Sequence, residues 1–264
     1  MSVRNQQVCA WMGPAMIVVM LVAFLIAGFI PPPAPHKSAD AIAHMFRAHT
    51  SRIRLGLVMT MFGSALLTPF VAVITVQMRR IEGRHTPLAY VQLALGALLA
   101  LEFVIPVMVL QAAAFRPELS ATTIRTLDDL GWLLFVGAPS TAALQAIALG
   151  IAILQDRRPD PVFPRWGGYL SIWCALLFTP GGIIVFFKHG PFGWNGLLTW
   201  WLGLTAFGIW LVAMTLLLLR AIAHQQREES TAAPDGPADQ QRVDQLAAEV
   251  AALREELRRV TATA

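Results

Sequence analysis

Apolar residues gather into six long stretches, about residues 8–30, 53–76, 89–110, 130–154, 167–187 and 197–222, joined by short polar connections rich in proline or glycine. A helix needs about 20 mostly apolar residues to cross bilayer hydrocarbon. Each stretch is therefore expected to form one spanning helix, and residues 1–224 an all-α, six-transmembrane-helix bundle. The first stretch stops at Pro31-Pro32-Pro33, where the missing N–H groups cannot continue a helix. It exceeds the roughly 7–15 apolar residues of a secretory signal core, so it reads as a retained anchor.

Two further helices are predicted outside the spans. Ser38 is placed to cap a short helix in the loop from Pro35 to Thr50, with Ile42, Met45 and Phe46 on one face and Asp40, His44 and Arg47 elsewhere. That is the pattern of a helix lying flat at the outer interface. After the last span, a polar stretch with Pro234, Gly236 and Pro237 reads as a flexible linker over residues 225–238. Val243, Leu246, Val250, Leu253, Leu257 and Val260 then recur at alternating spacings of three and four within residues 239–261. Valine at a and leucine at d in the first two heptads favour a parallel two-stranded coiled coil, with Glu249 at g facing Arg254 at e of the partner chain. A homodimer is expected through this tail; the alternative is an amphipathic helix packed on its own domain or on the membrane.

Composition supports the membrane reading. Only 14% of the 264 residues are charged, against about 25% in globular domains. The net charge of +4 does not mark a nucleic-acid binder, because the arginines cluster at the ends of apolar stretches, where they orient helices. Arg79, Arg80, Arg84, Arg157, Arg158, Arg165, Arg220 and Arg227 fall on the side of the termini, and Lys37, Arg47, Arg52 and Arg54 on the other. Both termini are thus expected in the cytoplasm. Trp11, Trp132, Trp166, Trp194, Trp200 and Trp201 stand at expected span ends, as interfacial aromatics should. Cys9 and Cys174 differ too much in expected depth to form a disulfide.

The candidate chemistry centres on Glu102, the one carboxyl group expected deep in the hydrocarbon, flanked by Leu98, Leu99, Leu101, Phe103, Val104 and Ile105. An ionisable side chain at such depth costs about 2.5–3.5 kcal/mol on insertion scales and marks a functional candidate by default. With no cation beside it, the group is expected to stay protonated. Pro106, Pro139 and Pro180 are expected to break three consecutive spans at similar depth, freeing the carbonyls of Glu102, Phe135 and Leu176 beside the hydroxyls of Ser140, Thr141 and Thr179. Facing helices would turn these groups into a polar pocket for a proton, an ion or a ligand. The competing reading makes Glu102 packing glue and the prolines simple kinks.

Other chemistry finds little support. There is no Walker loop, Gly-x-Ser-x-Gly, Cys-x-x-Cys or His-Glu-x-x-His motif, and no span contains a histidine to ligate haem. His44 and His49 are five apart, which does not suit a helical metal site. Asp128 and Asp129 read as carboxylates at a helix N-terminus. The inner turns at Arg79-Arg80 and Arg157-Arg158, each followed by a proline and a tyrosine, suggest a weak tandem repeat. No cofactor and no metal are expected, and an enzyme is the least favoured class.

The segments Gly13-Pro14, Ile30-Pro31-Pro32-Pro33, Gln77 to Arg84, Ala114-Phe115-Arg116-Pro117, Pro161 to Trp166 and Gly190 to Gly196 resemble those of an uncharacterised family of bacterial polytopic integral membrane proteins. The resemblance spans roughly Trp11 to Gln225. It implies a bacterial inner-membrane setting and transfers no activity or site residue. The reading is an integral membrane protein in contact with lipid that transports or senses a small apolar molecule, with a non-catalytic, dimerising scaffold or accessory subunit as the alternative.

Overall fold

A computed structural model describes residues 3–83, 85–232 and 245–254. All regular secondary structure among the described residues is helical, with no strand. Among the residues described up to 232, the α-helices in order are α1 (Val3–Ala27), α2 (Ala39–Ala48), α3 (Thr50–Ala65), α4 (Leu67–Glu82), α5 (Pro87–Phe115), α6 (Ala121–Val136), α7 (Ser140–Gln155), α8 (Arg165–Phe178) and α9 (Leu202–Ala232). A 3₁₀ segment, Thr179–Phe186, extends α8, and a π-helical turn, Leu197–Trp201, leads into α9. Among the described residues, six helical runs are long and apolar enough to cross a membrane: α1, α3 with α4, α5, α6 with α7, α8 with its 3₁₀ extension, and α9 with the turns before it. Contacts divide the chain into two units, Met1–Ile222 and Ala223–Ala264.

The helices carry their apolar residues all round, because one side meets other helices and the opposite side faces outward. On α5, Leu99, Val107 and Leu110 are buried while Leu98, Leu101, Ile105 and Met108 are exposed. In a lipid setting such outward apolar faces are the solvated ones. Small residues set the spacing inside. A Cβ on Gly96 of α5 would lie 2.4 Å from Val71 Cγ1 of α4 and 2.8 Å from Gln145 Nε2 of α7. Two apolar clusters result. One joins Met16, Phe70, Val71, Leu149, Trp210 and their neighbours; the other, toward the end opposite the N-terminus of α1, joins Phe24, Phe29, Phe46, Val107, Trp132 and Trp200.

Several local expectations change. The fourth span begins well before Leu130: the connection after α5 is short, and Ser120 caps α6 by accepting from Thr123 N. Asp128 and Asp129 therefore sit in mid-helix and not at a helix start. Asp128 is buried and accepts from Trp132 Nε1 at 2.9 Å. Trp132, Trp194 and Trp200 are buried as well, not interfacial, and Trp194 Nε1 donates to Pro33 O at 2.8 Å. In α2, capped by Ser38, the face bearing Ile42 and Phe46 is buried and packs on α6, so protein covers it. His44 and His49 are exposed. The two arginine doublets do different work: Arg80 donates to Gln77 Oε1 and Ala221 O, whereas Arg158 pairs with Asp156 at 2.7 Å.

Residues 225–232, read as the start of a linker, continue α9 as helix. Of the heptad seam, Leu246, Val250 and Leu253 lie on a helical stretch, residues 245–254, and are exposed. Val243, Leu257 and Val260, with Arg84, lie outside the described residues.

Candidate functional site

Between the two clusters lies a cavity of about 370 Å³, whose walls come from α1, α5, the α6–α7 junction, the end of α8 with its 3₁₀ extension, and α9. Each wall has a local cause. Pro139 cannot donate into the preceding turn, so α6 stops at Gly137 and α7 restarts at Ser140. The junction packs against the 3₁₀ segment, where a Cβ on Gly181 would stand 2.5 Å from Val136 O and 3.7 Å from Pro139. Gly203 and Gly208 of α9 line the cavity too, and a Cβ on either would meet nothing within 4 Å. The missing side chains leave part of the hollow.

Glu102 lines this cavity from α5, half-buried. Thr141, on the first turn of α7, donates to its Oε2 at 2.5 Å. Among the described residues Oε1 has no hydrogen-bond partner and no charged side chain pairs with the carboxyl group. The remaining wall is mostly apolar and strongly aromatic, with Thr199, whose hydroxyl donates to Gly193 O, as its other polar side chain apart from the indole N–H of Trp200. Phe24 stacks on Trp200 (5.9 Å, 13°), Phe135 lies 5.4 Å from both Phe24 and Phe103, and Phe207 lies 6.0 Å from Phe103 and 6.3 Å from Phe178. Trp200 Nε1 is buried without an acceptor.

The residues singled out from sequence divide cleanly. Glu102 and Pro139 both line the cavity, and Thr141, behind that wall, is brought to Glu102 by its hydrogen bond. Ser140 is exposed and does not line it. Thr179 is also exposed, and its hydroxyl donates to Leu176 O at 2.7 Å, capping the carbonyl that Pro180 was expected to free. Pro180 marks a change from α to 3₁₀ geometry, not an interruption. Pro106 does not break its span: α5 runs through it unbroken to Phe115, as buried neighbours allow for a proline inside a spanning helix.

Sequence reasoning missed a second polar layer. Below the cavity, toward the N-terminal end of α5, Gln92 is buried and accepts from Thr75 Oγ1 at 2.6 Å, and Gln145 is buried one turn past Thr141. The Nε2 of each has no acceptor. Their signal is present in the sequence, since both are amides inside apolar spans. At the far ends of the helices, Arg54 reaches Ala114 O and Phe115 O at the end of α5, Arg52 reaches Ile26 O at the end of α1, and Arg47 reaches Pro117 O and Leu119 O in the turn between α5 and α6. At the near end, Asp156 receives Arg158 and the N–H of Val162. Burial opposes its ionisation, but the bonds from the Arg158 side chain, Val162 N and Arg158 N outweigh it and hold the carboxyl below its ordinary pKa.

Comparison with protein-family models, with curated proteins and with solved structures finds no match. No group of three or more metal-ligating side chains occurs among the described residues.

Proposed function

We propose that this membrane-embedded bundle binds a small, largely apolar molecule in the Glu102 cavity, to carry it or to sense it. One observation carries the reading: Glu102 lines a hollow that its neighbours leave unfilled, and Thr141 holds one of its two carboxyl oxygens. Packing glue would have both oxygens satisfied by a facing helix, and the space around it would be closed. A volume of about 370 Å³ falls within the roughly 300–1,000 Å³ of small-ligand pockets. On this reading the guest enters beside Leu21 of α1, an exposed residue of the cavity wall.

Filling the hollow tests this. Gly203→Leu introduces a side chain where its Cβ meets no neighbour, so the fold should persist. Protein purified in lipid nanodiscs is expected to carry a small lipophilic molecule detectable by mass spectrometry after solvent extraction. The Gly203→Leu protein should carry it at least about tenfold less, as expected when the occupant's space is removed. Equal recovery from both proteins would refute the cavity as the site.

Two further parts of the reading concern the setting. Both termini face the cytoplasm of a bacterial inner membrane. Arg52 and Arg54 on the far side serve as donors to helix-end carbonyls and Arg47 to carbonyls of the α5–α6 turn, which accounts for basic residues there without reversing the orienting bias of Arg79, Arg80, Arg157, Arg158 and Arg165. α2 lies at the outer interface. The second function reading, a scaffold dimerising through its tail, draws on the exposed Leu246, Val250 and Leu253 of one helical stretch. Removal of residues 239–264 should convert a cross-linkable homodimer to monomer.

A further inference from the structure

The chemistry of the cavity wall says more about the occupant than its size does. Among the described residues, walls from α1, the α6–α7 junction, the α8 end and α9 present no titratable or charged side chain to Glu102, which is the single ionisable group of those lining the cavity. An ionised carboxyl group in that setting has no counter-charge from the protein. Either a proton or a cationic occupant must supply it. An anion would meet no basic group at all.

The second observation is the ring surface. Phe24, Phe103, Phe135, Phe178, Phe207 and Trp200 form a chain of contacting aromatic rings around the same hollow. Aromatic faces carry negative charge density and attract a desolvated cation, most strongly at tryptophan. A purely aliphatic occupant would gain from any apolar wall and nothing from a carboxyl group. A small cation such as sodium would want a cage of oxygens, and this wall offers the carboxyl group and few others. The two features together fit one kind of guest.

Resting on the reading that the cavity is a binding site, we propose that its occupant is a lipophilic monocation, an ammonium or similar group on an apolar body, taken up in exchange for the proton of Glu102. The exchange balances: the neutral carboxylic acid and the cation give the carboxylate–cation pair and one free proton. Thr141 keeps its bond to Oε2 in both states and leaves Oε1 for the guest. Binding of cation and binding of proton are mutually exclusive, so proton concentration on the accessible side sets the affinity.

An isosteric pair of probes isolates the charge: phenyltrimethylammonium and tert-butylbenzene differ by nitrogen for carbon. Their binding to the full-length protein in nanodiscs is measured against empty nanodiscs by equilibrium dialysis, across pH 5 to 9. The ammonium is expected to bind more tightly than the hydrocarbon. Its affinity should rise by up to about tenfold per pH unit where Glu102 is protonated in the free protein. One proton should be released per cation bound, read with a pH indicator in weak buffer. Glu102→Gln should lose the ammonium and the pH dependence while retaining tert-butylbenzene, which also reports that the variant is folded. Equal, pH-independent binding of both probes, or ammonium binding untouched by Glu102→Gln, overturns the cation and leaves the cavity as a site for neutral guests. Binding of neither probe overturns the cation and the cavity reading together.

Discussion

Replacing Glu102 by leucine separates a site from glue by the sign of a stability change. The carboxyl group makes one hydrogen bond, from Thr141, and bonds of this kind between membrane helices average about 0.6 kcal/mol and reach about 1.7. Against that loss stands relief of an ionisable side chain near the middle of a spanning helix, costing about 2.5–3.5 kcal/mol for a charged group on insertion scales, while leucine is favourable by about 0.3–0.6. Glu102 is only half-buried and faces a hollow, so about half of that relief is realised. The net expectation is stabilisation by about 1 kcal/mol. Thr141→Val alone should destabilise by about 0.6–1.7 kcal/mol. In the double variant that cost should vanish, because the partner is already gone. The assay is equilibrium unfolding in mixed detergent micelles, followed by far-ultraviolet circular dichroism and tryptophan emission. A Glu102→Leu protein destabilised by more than about 1 kcal/mol would refute the reasoning: the carboxyl group would then be a packing contact worth more than its burial costs.

Three other expectations follow from single contacts. Arg54→Ala removes three N–H bonds to the last carbonyls of α5 and should cost about 2–3 kcal/mol by the worth of charge-assisted bonds and the helix dipole. Arg54→Lys should recover only part, since an ammonium cannot fork between two carbonyls; equal stability of both variants and wild type in the same unfolding assay would remove the capping role. Asp156→Asn should destabilise by about 1–2 kcal/mol at neutral pH through loss of the charged pair with Arg158. Because the folded carboxyl sits below its ordinary pKa, the contribution is present above about pH 4 and lost as pH falls through the lower folded value. Wild type and variant should therefore converge in melting temperature in acid, and a gap that stays constant or widens there would count against the ion pair. Gly96→Ala places a Cβ 2.4–2.8 Å from Val71 and Gln145, an overpacking of about 1–3 kcal/mol against about 1 regained in helix propensity. Net destabilisation is expected, and a protein melting higher than wild type would show that the α4–α5–α7 contact is loose.

The crossing helices and Glu102 were legible because they rest on contrast: long apolar runs against polar breaks, and one acid against hydrocarbon. Thr141 was legible for a related reason, as a hydroxyl beside a proline that must end a turn. Ser140 and Thr179 satisfied the same rule and yet point away, because α7 and the 3₁₀ segment rotate side chains by about 100° per residue or more, and sequence alone does not say which way a restarted helix faces. Pro106 illustrates the opposite error. Its ring was expected to interrupt α5, but helix neighbours on both sides hold the backbone in line.

Tryptophans and arginines misled for another reason: both residue types have two uses in a membrane protein. Trp132 and Trp194 stand where interfacial anchors belong, but Asp128 and the carbonyl of Pro33 accept their indole N–H groups, and that satisfaction allows burial. Arg47, Arg52 and Arg54 were counted as orienting charges, whereas each reaches carbonyls at a helix end or in the turn after it. The aromatic wall of the cavity was invisible for a deeper reason. Phe24, Phe103, Phe135, Phe178 and Phe207 come from five different elements, and phenylalanine in an apolar span reads the same whether it fills a core, meets lipid or lines a hollow. What distinguishes them is what is missing opposite, at Gly203 and Gly208 of α9. A glycine pair in a spanning helix usually signals close packing, and here it does the reverse, leaving a hollow between the two apolar clusters at the depth where Glu102 lies.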